Sequence, residues 1–86
     1  MAEQYIGNVA HYFGKARVAA IEITEGELTK GDTIHIVGHT TDFTQTVDSM
    51  QIKNETVLSA RAGDKIGMKV VEQAREKDEV YLVIPD

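Results

Sequence analysis

Lys30-Gly31-Asp32-Thr33-Ile34-His35-Ile36 and Ala62-Gly63-Asp64-Lys65-Ile66-Gly67-Met68 share one pattern, a Gly-Asp turn followed by a strand of alternating apolar residues. Glu76-Lys77-Asp78-Glu79-Val80-Tyr81-Leu82 repeats the pattern without the glycine. Glycine permits the positive φ of such a turn, and an aspartate carboxylate accepts hydrogen bonds from turn amides. The turn residues of the first two copies are therefore predicted to be structural: Gly31, Asp32, Gly63 and Asp64.

Short strand candidates extend in both directions from these turns. No segment has the 3.6-residue apolar period of a long helix, although charged Glu72–Lys77 is compatible with one helical turn. In Phe43–Lys53 the apolar phase changes near Asp48-Ser49, which predicts a bulge or a sharp bend. The strand candidates are Gln4–Phe13, Arg17–Thr24, Thr33–Val37, Phe43–Lys53, Thr56–Leu58, Lys65–Val71 and Glu79–Ile84.

This arrangement of short strands predicts an all-β fold. We expect a small, closed antiparallel β-barrel of six or seven strands, because closure leaves no exposed strand edge in so small a domain. The length of 86 residues fits a single β-barrel domain spanning residues 1–86.

Composition limits the cellular locations and the classes of binding partner that the chain can have. The chain has no cysteine, which excludes disulfides and thiolate metal sites and suits a cytoplasmic protein. Met1–Ile6 lacks a basic region followed by an apolar run, and no window is long and apolar enough to span a membrane, so we expect no membrane contact. The formal net charge of −5 argues against binding DNA through its phosphates.

The residues that could support catalysis do not form a recognisable motif. Gly14-Lys15 lacks the other glycine and the Ser or Thr of a phosphate loop, and Ser49 and Ser59 lie outside a nucleophile turn. We therefore predict no catalytic residue, no cofactor and no enzymatic activity. A small hydrolase that uses His11 or His35 beside a carboxylate or a serine is kept as a further hypothesis.

The three histidines, His11, His35 and His39, are the candidate metal ligands. Residues four apart on a strand share a face but lie roughly 13 Å apart, so His35 and His39 would need a fold at Gly38 to share an ion. Asp32 or Asp42 would have to supply a further ligand, and nothing in the sequence fixes either one. We predict no metal site.

Basic residues suggest a modest binding surface. Lys65, Gly67 and Lys69 share a strand face opposite Ile66 and Met68. With Tyr12 or Phe13 nearby, such a face could contact RNA, and the alternative is an ordinary solvated face.

Two motifs in order resemble a known family. Gly26-x-Leu28-x-x-Gly31-Asp32, within Val9–Gly38, and Ala62-Gly63-Asp64-Lys65-Ile66-Gly67 are similar to the signatures of domain II in translation GTPases such as elongation factor Tu. The resemblance covers about Ile6–Val83. It implies an antiparallel six- or seven-stranded barrel that contacts RNA of the ribosome, here without a GTPase domain.

The resemblance implies a function. It identifies the chain as a non-catalytic, translation elongation factor-like binding module that contacts RNA or a ribosome-associated partner. Some of the expected contact residues fall where the family holds the aminoacyl end of tRNA, with other residue types in this chain. The expected contact residues are Lys15, Arg17, Gln51, Lys53, Asn54 and Lys65.

The alternative is a protein–protein accessory barrel. A similar small barrel is appended to collagenase-like peptidases, so this chain could act in trans with a larger enzyme of that type. This hypothesis predicts an exposed apolar patch around Tyr12, Phe13 and Phe43.

Overall fold

Ten β-strands make up the computed structural model, which describes residues 2–85 and contains no helix within that range. The all-β prediction is confirmed. The strands are β1 (Ala2–Phe13), β2 (Val18–Ile23), β3 (Glu27–Thr29), β4 (Thr33–Val37), β5 (Asp42–Thr46), β6 (Met50–Ile52), β7 (Glu55–Val57), β8 (Ser59–Arg61), β9 (Lys65–Lys69) and β10 (Glu79–Ile84).

Eight of these strands form one antiparallel sheet, in the order β5-β4-β10-β1-β2-β9-β6-β7. The long strand β1 is central and pairs with β10 on one side and with β2 on the other. Its register shifts between Tyr5 and Gly7 and again between Val9 and His11, and such irregularities bend a strand. The remaining strands, β3 and β8, pair with each other as a separate ribbon.

The core lies on the concave side of the sheet and is built from the inward phase of each strand. In β4, Ile34 and Ile36 are fully buried while His35 faces outward, as the alternation predicts. Leu28 and Ala60 bring the β3–β8 ribbon into the same cluster. The largest fully buried side chains are Ile6, Ile21, Ile23, Leu28, Ile34, Ile36, Met50 and Ile66, with Val9, Val47 and Val80.

The predicted closed barrel of six or seven strands is wrong. The sheet ends at β5 and at β7, and within residues 2–85 no strand pairing joins those edges. The side chain of Gln45 in β5 instead reaches the far half of the sheet: its amide nitrogen donates to the carbonyl of Lys69 at 2.9 Å, and its amide oxygen accepts from the N–H of Val71 at 2.8 Å. In a closed barrel, backbone hydrogen bonds would join the two halves of the sheet here. In this chain the side-chain amide of Gln45 joins them, and we call its contact with the backbone of Lys69 and Val71 the Gln45 seam.

The predicted strand count was too low for two reasons: one strand candidate is divided in two, and two short strands were not predicted. The segment predicted as one strand from Phe43 to Lys53 is interrupted at residues 47–49, where the apolar phase changes, and becomes β5 and β6. Residues 27–29 and 59–61, which are not among the strand candidates, pair as the ribbon. Glu72–Lys77, compatible in sequence with one helical turn, forms no helix. A bend lies at Glu72, residues 73–75 have no regular structure, and a turn follows at Glu76-Lys77.

Three turns share one hydrogen-bond geometry. Asp32 accepts a hydrogen bond from the N–H of Thr29 at 2.8 Å, and Asp64 accepts one from Arg61 at 3.0 Å. Asp78 accepts one from Arg75 at 2.8 Å. The preceding residue has a positive φ in each turn: 98° at Gly31, 100° at Gly63 and 75° at Lys77. The repeated pattern in the sequence therefore corresponds to one repeated turn that precedes β4, β9 and β10.

At Gly7 the backbones of β1 and β2 leave no room for a side chain, and this predicts a severe effect of adding a methyl group. A Cβ at Gly7 would overlap the backbone carbonyl of Glu22 in β2. Because backbone on a central strand cannot move away freely, Gly7→Ala should destabilise the fold by about 1–3 kcal/mol or more in urea unfolding. Gly67→Ala is the matched control, since its Cβ would meet Val18 at an ordinary 3.7 Å. Equal stabilities of the two variants would contradict the close approach.

The Gln45 seam predicts a graded loss of stability. Gln45→Leu removes both hydrogen bonds and should cost about 1–3 kcal/mol, measured by urea unfolding. Gln45→Glu keeps an acceptor for the N–H of Val71 but loses the donor to the carbonyl of Lys69, so its stability should fall between the two. A Gln45→Leu variant as stable as the parent chain would mean that the seam contributes nothing.

Candidate functional site

A groove of about 500 Å³ opens on the outer face of the sheet, where β6 and β9 diverge. The two strands pair at one position only, Gln51 with Gly67. Strand β2 supplies the neighbouring part of the floor because it pairs with β9 along the whole length of β9. The groove is lined by Phe13, Val18, Gln51, Lys53, Lys65 and Lys69, with Ala20, Ser49, Asn54, Ile66, Gly67 and Met68 between them.

Strand alternation places two lysines on the outer face of β9. Ile66 and Met68 are buried, so Lys65, Gly67 and Lys69 face outward. Gly67 has no side chain, which leaves a gap between the two lysines. The floor at this gap is apolar and small, because Ala20 pairs with Gly67 and Val18 pairs with Lys69.

A tight hairpin presents the third lysine. Ile52 pairs with Glu55, so Lys53 and Asn54 form a two-residue loop between β6 and β7. Both loop residues have positive φ, 51° and 67°, which is the backbone required of a type I′ hairpin. A lysine in this conformation is uncommon, and here it stands at the rim of the groove.

Four of the six predicted contact residues meet in this groove, and two do not. Gln51, Lys53, Asn54 and Lys65 line it together. Lys15 lies in the exposed turn between β1 and β2, outside the groove. Arg17 lines a different hollow, beside Tyr12, Val71 and Glu72.

The sequence prediction left out several groove residues. Lys69 and Gly67 were recognised as sharing a face with Lys65, and β-alternation alone would have added Lys69 to the contact set. Phe13 was named only as one of two aromatic residues, with Tyr12, that could accompany this face, and Ser49 carried no signal, because their place beside β9 depends on strands distant in sequence.

His35 sits in a separate cluster on the outer face of the other half of the sheet. Its Nε2 lies 2.5 Å from a carboxylate oxygen of Asp42, and its Nδ1 lies 3.0 Å from Glu3. Since both partners are acceptors, the ring donates to both when it is protonated. The hydrogen bonds to Asp42 and to Glu3 therefore raise the pKa of His35 above its ordinary value of 6.5, while burial opposes the shift more weakly.

Two tyrosines extend this face toward β1 and β10. Tyr5 and Tyr81 pack edge to face with ring centroids 5.7 Å apart. The hydroxyl of Tyr81 donates to Glu79 at 3.1 Å, which raises the pKa of the phenol. The outer face of this half of the sheet is therefore acidic and aromatic, in contrast to the lysines of the groove.

His11, Ser49 and Ser59 lie apart from one another and do not form a catalytic or metal-binding site. His11 contacts Glu76 at 3.2 Å and packs edge to face on Phe13. Within residues 2–85, no group of three or more His, Asp or Glu side chains is arranged to hold a metal ion. Ser49 lies at the groove on the other half of the sheet from His35, and Ser59 is exposed on β8.

The apolar patch expected around Tyr12, Phe13 and Phe43 does not form. Phe43 belongs to the core and is 6% exposed, because it occupies the inward phase of β5. Tyr12 is partly buried against the core, and of the three residues only Phe13, 49% exposed, is open to solvent. Across residues 2–85, no helix is long and apolar enough to span a membrane.

Comparison with known proteins points to peptidases. An uncharacterized protease of Methanocaldococcus jannaschii is 42% identical over 79 residues, which are 91% of this chain and 19% of the relative. A collagenase of Porphyromonas gingivalis is 38% identical over 78 residues, which are 90% of this chain and 22% of the relative. The chain therefore spans about a fifth of the length of the curated relatives it matches. No protein-family model matches it.

Solved structures identify the fold. The C-terminal domain of a Geobacillus thermoleovorans U32 peptidase superimposes with a TM-score of 0.86 at 17% identity, covering 94% of this chain and 93% of that domain. Its selenomethionine variant gives a TM-score of 0.83 at 18% identity, covering 90% of this chain and 96% of that domain. The chain has the fold of these C-terminal domains.

The resemblance to domain II of translation GTPases is therefore wrong, and RNA and ribosome binding lose their support. The relatives are a protease and a collagenase, and the structural neighbours are peptidase C-terminal domains. The physical reason lies in the motifs, because Gly31-Asp32 and Gly63-Asp64 form a turn geometry that this chain uses three times. Such a motif reports how a strand starts and does not identify a family.

The cluster of Glu3, His35 and Asp42 predicts a pH dependence of stability. Because the pKa of His35 is higher in the folded than in the unfolded chain, the stabilisation is complete below about pH 6.5 and is lost as pH rises through the folded-state pKa. Urea unfolding should therefore give a lower free energy at about pH 8 than at about pH 6. This decrease in unfolding free energy should be smaller in His35→Gln than in the parent chain. In His39→Gln, the control that removes an exposed histidine, it should equal that of the parent chain. An equal decrease in both variants would assign the effect to other groups.

Proposed function

We propose that this chain is a non-catalytic accessory domain that acts with a larger peptidase-like protein. The observation that carries the proposal is the extent of the match: nine-tenths of this chain aligns with about a fifth of each relative. A matching segment that is this small relative to the whole protein fits a binding or positioning domain better than a complete enzyme.

The side-chain arrangement supports a role without catalysis. Both ring nitrogens of His35 are engaged by carboxylates, so neither is directed at a serine. Phosphate-loop and nucleophile-turn motifs are missing from the sequence. Cleavage, where it occurs in such an assembly, is assigned by this proposal to the larger partner. The cytoplasmic location stays a prediction from composition.

Binding in trans to a truncated relative tests the accessory role. The Porphyromonas gingivalis collagenase is prepared without the 78 residues that match this chain, and the chain is titrated into it by calorimetry. We expect saturable one-to-one binding, because the truncated protein exposes the surface that its own domain covers. Intact collagenase should bind the chain more weakly, since that surface is already occupied.

Gelatin cleavage provides the second measurement. The chain alone should cleave no gelatin, and its addition to the truncated collagenase should raise the cleavage rate toward that of the intact protein. Circular dichroism first establishes that the truncated collagenase is folded. A folded truncated protein that binds no chain would contradict the accessory role, and cleavage by the chain alone would contradict its lack of catalysis.

A further inference from the structure

The groove between β6 and β9 concentrates positive charge on an acidic protein. The chain has 14 acidic and 9 basic residues. Nevertheless, the groove is lined by Lys53, Lys65 and Lys69 and by none of the carboxylates of residues 2–85. A surface whose sign opposes that of the whole chain favours a negatively charged partner at this one place.

The three ammonium groups are available to a ligand. Among residues 2–85, no carboxylate lies within 4.0 Å of a lysine side chain in this groove. Glu22 is paired with Lys65 across β2 and β9, yet it forms no ion pair with it. The carboxylates of residues 2–85 therefore do not neutralise this positive charge.

The shape of the groove suits an extended chain. Lys65 and Lys69 are four residues apart on one strand face, hence roughly 13 Å apart, which is the spacing of residues i and i+4 in an extended peptide. The gap above Gly67, over Ala20 and Val18, accepts a small apolar side chain at i+2. Phe13 adds an exposed aromatic ring at one side of the groove.

These features favour a polypeptide over a nucleic acid. Single-stranded nucleic acids bind through successive base-stacking platforms together with a basic surface. Within the described part of the chain, Phe13 is the one aromatic residue in the groove lining, and the full sequence has a formal charge of −5. The groove lacks a series of stacking rings, and the overall charge repels a polyanion.

We infer that this groove binds an extended acidic segment of a protein partner, with carboxylates at i and i+4 on Lys65 and Lys69 and a small apolar residue at i+2 above Gly67. Lys53 contacts a further carboxylate or the peptide terminus at the rim. The inference rests on the proposed function, since it names the chemistry by which the accessory domain would hold its partner.

A designed peptide tests the inference directly. The probe is fluorescein-labelled Ser-Glu-Thr-Val-Thr-Glu-Ser with both ends blocked, and its binding to the full 86-residue chain is followed by fluorescence anisotropy. We expect saturable binding that weakens with added salt, because exposed ion pairs are screened. The peptide with both Glu replaced by Gln, and a peptide with the two Glu only two residues apart, should bind more weakly.

Variants of the chain locate the site. Lys65→Gln and Lys69→Gln should each weaken binding by about two- to fivefold, the range of exposed charge pairs. Gly67→Val should weaken it by about tenfold or more because the added side chain fills the floor. Lys30→Gln is the matched control, since it removes the same charge outside the groove and should leave binding unchanged. Circular dichroism and thermal unfolding establish that each variant is folded.

The remaining outcomes separate this inference from the proposed function. Equal binding of the Glu and Gln peptides, or an equal effect of Lys30→Gln and Lys69→Gln, would overturn the acidic-peptide site. Tighter binding of a single-stranded oligonucleotide than of the peptide would also overturn it. If the chain binds the truncated collagenase and the groove variants do not alter that binding, the accessory role stands and this groove is not its contact surface.

Discussion

The amide of Gln45 joins two parts of the sheet that the strand order leaves separate. An eight-stranded sheet must curl to bury its apolar face, and curling brings β5 near the end of β9. There the amide supplies one donor and one acceptor to the backbone at Lys69 and Val71. The same end of β9 carries Lys69 in the groove, so the seam that holds the sheet also fixes part of the candidate site.

The β3–β8 ribbon covers a part of the hydrophobic core that the eight-stranded sheet leaves uncovered. Leu28 and Ala60 bury their side chains in the common core, although their strands pair only with each other. Because the ribbon closes the core, β6 need not run alongside β9, and the two strands share only the pairing of Gln51 with Gly67. The groove is the consequence of that divergence.

Charge is divided between the two halves of the outer face. Glu3, Asp42 and Glu79 lie around His35 and Tyr81 on one half, whereas the lysines of β9 and the β6–β7 hairpin lie on the other. The net charge of −5 is a sum over the whole sequence, so it contains no information on how the charges are distributed between the two halves. The separation gives a partner with an acidic segment one preferred orientation on the domain.

The sequence by itself determined seven strand segments, most of their buried phases and the three Asp-closed turns, because these depend on residues within one turn or strand of each other. It did not indicate β3 and β8 or the division between β5 and β6. It also placed Gln51, Lys53, Asn54 and Lys65 among the groove residues, but it grouped them with Lys15 and Arg17, which lie elsewhere. It assigned the wrong family, because its Gly-Asp motifs encode a turn. Only the tertiary structure decided that the sheet stays open, that Gln45 spans the seam and that Phe13, rather than Tyr12, lies beside β9. Each of these depends on which distant strands become neighbours, and alternation along a single strand does not specify that.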